Sequence, residues 1–132
     1  MVTMSFWAIL AAAVAFFAVG ALWYGVLFAK PWQRAAGMSD EAVRSGSMPL
    51  IFGLTFLFEM LIALVLAHQF AITGASDRAI MMIATGFGAF VMTPAIGINY
   101  LYQRKPLALF LIDGGHFILG MTAMGAVFTL FN

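Results

Sequence analysis

Two carboxylic acids and an imidazole stand inside stretches that are otherwise uncharged: Glu59, Asp113 and His116. Asp113 and His116 are three residues apart, a spacing that puts both on one face of a helix. Glu59 follows Pro49 by ten residues, and His116 follows Pro106 by ten. At 1.5 Å per residue each then lies about 15 Å into its helix, near a bilayer midplane, with Asp113 about 10 Å in. Groups of this kind at that depth can bind a divalent metal, relay protons or hold a cationic ligand. They can equally form an interhelical hydrogen-bond network that fixes packing and nothing more. Tyr24, Asn99 and Tyr100 approach the same depth from other helices and complete the candidate ligand or proton site. A metal, if one binds, falls to Glu59, Asp113 and His116. No motif asks for an organic cofactor.

The elements that must position these residues are membrane spans. Of 132 residues 64% are hydrophobic and only 8% charged, against about 25% charged in soluble domains. With a mean hydropathy of +1.05, the chain carries more apolar surface than a soluble fold of this length can hide, so lipid is its solvent. The net charge of +1 gives no footing for nucleic acid. With no cysteine, disulfides, thiolate metal sites and a cysteine nucleophile are excluded.

Four apolar runs read as spans of a single transmembrane domain covering residues 1–132: about 4–28, 49–72, 79–102 and 107–131. The first exceeds a signal-peptide core, has no cation before Lys30, and reads as retained. Between the first two spans, residues 30–47 form a polar linker suited to the membrane surface, with Pro31 starting one short helix and Ser39 capping another. Lys30, Arg34, Arg44, Arg104 and Lys105 fall in two loops on one side, and Arg78 alone on the other. Five cations against one place those two loops in the cytoplasm and both chain ends outside.

Small residues mark where helices can approach closely. Ala11, Ala15, Ala18, Leu22 and Gly25 form one stripe, and Thr85, Ala89, Thr93 and Gly97 another. Pro94 should kink the third span unless neighbours satisfy the freed carbonyl. Gly114 and Gly115 either unwind the fourth span beside Asp113 or let a neighbour pack tightly there. Gly20-x-x-Trp23 before Lys30-Pro31, and Gly97-x-x-Tyr100 before Lys105-Pro106, hint at two similar hairpins. Trp23, Tyr24, Trp32, Tyr100 and Tyr102 read most simply as an aromatic belt. His68 with Met81 and Met82 offers a conceivable copper set, although ten Met spread over four spans are what packing uses.

Gly20-Ala-Leu-Trp23-Tyr24, Phe28, Trp32 and Gly37, with Lys105-Pro106 and Ile112-Asp113-Gly114-Gly115, resemble the bacterial membrane proteins grouped as domain of unknown function 1761. The resemblance covers nearly the whole chain. It implies four helices and a single membrane domain, and it implies no reaction.

The expected architecture is therefore an all-α, four-helix bundle in a bacterial inner membrane. One functional reading is a small ligand-, ion- or proton-binding protein or transporter, and four short helices would then need a homodimer to enclose a path. The other is a non-enzymatic accessory or scaffold subunit docking on a larger membrane complex. No phosphate loop, metalloprotease helix or nucleophile elbow supports an enzyme. The positions of the acids separate the two readings: facing a cavity favours transport, and mutual pairing without a cavity favours a scaffold.

Overall fold

The computed structural model describes residues 5–132, so Met4, where the first span is expected to begin, lies outside the described residues. The chain is an all-α membrane bundle whose four long apolar helices run Phe6–Leu27, Met48–Thr73, Asp77–Gln103 and Leu107–Leu130. The first consists of α1 (Phe6–Leu22), capped by Ser5, and a π turn over Trp23–Leu27. Two short surface helices follow, α2 (Ala29–Ala36) and α3 (Asp40–Ser45). Gly37 closes α2 with φ 70°, a left-handed conformation that a side chain would strain. The Ser39 hydroxyl accepts from the Ala42 N–H at 3.0 Å and starts α3.

The second span is α4 (Met48–Thr73), with Pro49 in its first turn, where a missing N–H costs nothing. The third consists of α5 (Asp77–Phe87), a π turn over Gly88–Met92, and α6 (Thr93–Gln103). The fourth, α7 (Leu107–Leu130), is unbroken through Asp113-Gly114-Gly115.

Pro94 explains the second π turn. It has no N–H to donate, and its ring would press on the carbonyl one turn back. The ladder widens just before it: the Thr93 N–H reaches back five residues to the Gly88 carbonyl. The Thr93 hydroxyl donates to the same oxygen at 2.7 Å. The extra residue relieves the clash without ending the helix.

α7 is wedged between the first and third spans, while α4 packs chiefly along α1. Its glycines face both neighbours. A methyl group at Gly120 would lie 2.8 Å from the Phe16 ring, and one at Gly125 2.9 Å from Ala84. Around those contacts Phe16, Leu66, Phe70, Ile80, Met121, Met124 and Phe128 form a fully apolar core in the half of the bundle away from the cationic loops.

On α1 the buried face is Ala8, Ile9, Ala12, Ala13 and Phe16. Ala18, Leu22 and Gly25 of the expected stripe point outward instead. So many alanines occupy α1 that small-residue spacing alone does not choose a phase. On the third span the close approaches are Ile80–Ala84–Gly88, then Thr93 and Gly97. The π turn adds one residue between Gly88 and Thr93, so a strict interval of four puts Ala89 where Gly88 belongs. At Gly88 an added methyl would meet the backbone of Phe117 and Ile118 at 2.8 and 3.0 Å.

Candidate intramembrane polar site

The Asp113 side chain lies about one and a half turns into α7, in the half of the bundle nearest the cationic loops. It is 7% exposed. Its Oδ1 accepts from the Tyr24 hydroxyl at 2.5 Å, and its Oδ2 accepts from the Tyr100 hydroxyl. One tyrosine comes from the first span and the other from the third, so this carboxylate joins three helices. Among the described residues the single ion pair within 4.0 Å is Lys30–Asp40, at 3.7 Å on the surface, so no cation pairs with Asp113.

The π turn in the first span positions the donors. The Phe28 N–H bonds the Trp23 carbonyl five residues back at 2.8 Å. The widened turn lets consecutive residues both work on α7. Trp23 donates its indole N–H to the Ile112 carbonyl at 2.8 Å, and Tyr24 takes the neighbouring Asp113. Gly115 makes room for the indole, since a methyl there would stand 2.8 Å from it. Trp32 of α2 covers Tyr24 from the loop side, ring centres 5.9 Å apart.

One turn deeper, His116 is 8% exposed. Its ring is boxed by Tyr24 at 4.8 Å, Phe117 at 5.1 Å and Phe16 at 5.2 Å. Its Nε2 is buried, has no hydrogen-bond partner among the described residues, and faces Gly20, where a methyl would lie 3.1 Å away. Glu59 is 4% exposed, and its Oε2 likewise has no partner among the described residues. Buried polar atoms are rarely left so.

Of the residues expected at one site, Tyr24, Tyr100, Asp113 and His116 come together. Glu59 does not join them through a hydrogen bond or an ion pair. It sits on α4, which packs on α1 rather than extensively on α7. Among the described residues no group of three or more His, Cys, Asp or Glu is placed to hold a metal ion. Asn99 faces outward, because the neighbour of an inward-facing Tyr100 is rotated by about 100° on a helix. His68 is also exposed. The third-span row meets α7 through Thr85, whose hydroxyl lies 2.9 Å from that of Thr122, and through Thr93 and Gly97. A methyl at Gly114 would stand 2.9 Å from Thr93, and one at Gly97 2.9 Å from Phe110. Gly114 and Gly115 thus serve close packing within a continuous helix.

Trp23, an aromatic-belt residue by sequence pattern alone, ties the first span to α7 instead. The signal was its place beside Tyr24, one turn after Gly20. Tyr102, fully outward, fits the belt.

The sequence pattern of a family described as protein of unknown function (DUF1761) matches residues 7–129. The chain belongs to that family. The match spans all four helices of this DUF1761 protein and every residue of the Asp113 cluster. No curated protein and no solved structure matches the chain.

Proposed function

We propose that this chain is a multi-pass membrane protein that binds a proton or small ligand at the Asp113 cluster. The observation that supports it is a carboxylate buried at membrane depth, held by tyrosines from two spans, beside an imidazole; among the described residues no cation pairs with the one and no group partners the other's Nε2. Intramembrane acids of this kind are costly and usually functional. The chemistry is a coupled one. An ionised carboxylate accepts from both tyrosines. A proton on either oxygen turns it into a donor, and the tyrosine on that side must turn or become the acceptor. Proton binding at Asp113 therefore alters the tie between α7 and either the first or the third span.

In this reading the cationic loops are cytoplasmic and both chain ends lie outside an inner membrane, by the excess of cations. A homodimer completes any path through the bilayer, with the outward-facing Ala18 and Gly25 side of the first span open to a second copy. A reporter inserted at Ser45 should report the cytoplasm and one fused after Asn132 the opposite side. The deciding test is infrared difference spectroscopy between acid and alkaline buffers on protein reconstituted in lipid. A protonated-carboxyl band should appear that Asp113→Asn removes and Glu59→Gln leaves. Its absence from the wild-type spectrum would sink proton binding at Asp113.

A second reading, an accessory or scaffold subunit, is favoured by the same tyrosines, because Asp113 finds its hydrogen bonds within the chain. A larger complex recovered intact from native membranes, together with a silent infrared difference, would select it.

A further inference from the structure

The two rings that the first span sends to α7 are themselves covered by rings from the segment that follows. Phe28 lies on Trp23, ring centres 4.6 Å apart. Trp32 of α2 meets Tyr24 edge-on at 5.9 Å. α2 rests on the π turn and on α7, so it lies over the loop-side end of the Asp113 cluster. Yet none of its residues is buried. An element with so few buried apolar contacts detaches at low cost from the fold beneath it.

Both ends of α2 are joints. Phe28, with φ −125° and ψ 21°, leaves the helical path between the π turn and α2. Gly37 turns the chain at the other end with its left-handed backbone. Just beyond that turn, Asp40 holds α2 from outside the membrane. Its Oδ1 accepts from the Gln33 amide at 2.6 Å, and the Lys30 ammonium stands 3.7 Å from the same oxygen. Lys30 and Gln33 flank Trp32 in the chain, so one carboxylate grips α2 on either side of the ring that covers Tyr24. These ties are exposed and cost little to break.

We infer that α2 is a hinged cover over the Asp113 cluster, with Phe28 and Trp32 as its seal and Asp40 as its latch. The inference rests on the proton- or ligand-binding reading for what the cover admits, and it adds the side of entry. From the chain ends, a polar species would have to cross the apolar core around Phe16, Phe70, Met121 and Phe128, at the full cost of shedding its water. From the cationic loops it meets only the cover and Tyr24 before it reaches Asp113. Turning α2 about Phe28 and Gly37 opens that side without breaking any of the four spans.

The test reads the indole N–H of Trp23, which donates to the Ile112 carbonyl while its ring lies under Phe28. Hydrogen–deuterium exchange is followed by NMR on the full chain in lipid nanodiscs, where Trp7, Trp23 and Trp32 give the three indole signals. Asp40→Ala, which releases the latch, should speed exchange of the Trp23 proton about threefold or more. Trp32→Ala, which removes the seal, should speed it about tenfold or more. The backbone amides of α7 around Met121 and Met124 should keep their wild-type rates in both variants. An unchanged Trp23 rate in either variant would overturn the cover, and so would an acceleration shared by those α7 amides, which marks general loosening. If Trp32→Ala does not purify as a folded protein, Asp40→Ala, a change confined to the surface, decides. Indole exchange is read whatever Asp113 binds, so a flat result here leaves the infrared band standing, and a missing band leaves the cover standing.

Discussion

Asp113 and Glu59 are both acids buried at membrane depth, and the chain treats them in opposite ways. Asp113 is surrounded by provision: two tyrosine hydroxyls, an indole fixing the adjacent carbonyl and glycines admitting the rings. Glu59 is buried, and among the described residues its Oε2 has no hydrogen-bond partner. Burial alone therefore does not reveal what an intramembrane acid is for. The number of hydrogen-bond donors that converge on it, and the helices they come from, distinguish an acid built into the bundle from one left available.

The sharpest way to break the contrast is to delete the provided-for acid. Asp113→Ala strands two tyrosine hydroxyls and unties three helices, and should cost about 2–4 kcal/mol. Reversible unfolding in mixed micelles measures it, and a loss below that of Glu59→Ala would erase the distinction. Removing the donors singly sharpens it. Tyr24→Phe and Tyr100→Phe should each cost about 1 kcal/mol, and the double variant should depart from additivity because both serve one carboxylate. In the opposite direction, Glu59→Met should leave stability unchanged or raise it, since an apolar side chain of similar length needs no partner there. A thermal-shift series in one detergent orders all of these, and marked destabilisation by Glu59→Met would reveal a partner for that acid.

A third acid, Asp40, calibrates the pair from outside the membrane. The Gln33 side-chain amide donates to it at 2.6 Å and Lys30 stands 3.7 Å away, so its carboxyl is held below the ordinary range. A lowered value means that the small contribution to stability is present above the unfolded carboxylate range, and is lost as pH falls through the depressed midpoint. NMR titration should find that midpoint below the ordinary value of 3.8. Asp40→Asn should barely move the melting temperature at neutral pH.

The spans were legible because composition and the cationic loops leave few alternatives, and the surface helices because Ser39 and Gly37 carry their own capping chemistry. Tyr24, Tyr100, Asp113 and His116 could be grouped by depth alone. Lateral order could not be read in the same way. Depth follows from counting along one helix, whereas adjacency depends on which small-residue faces meet, and α1 offers alanines in several phases. Glu59 shares a depth with His116 on helices that are not principal neighbours. The π turns were hidden for a related reason: one added residue shifts every later contact by a step, and no single residue type announces it except Pro94.

The tie on Asp113 also bears on how the protein is made. An aspartate at the centre of an apolar segment costs about 2.5–3.5 kcal/mol on entering the bilayer, and less nearer its end, and α7 is synthesised after the other three spans. Tyr24 and Tyr100 both precede it in the chain, so its two acceptor oxygens enter a membrane in which their donors are already waiting. The fourth helix need not carry its polar group into lipid alone. Chain order thus puts both donors of this tie ahead of its acceptor, and the first and third spans can receive the fourth as it enters.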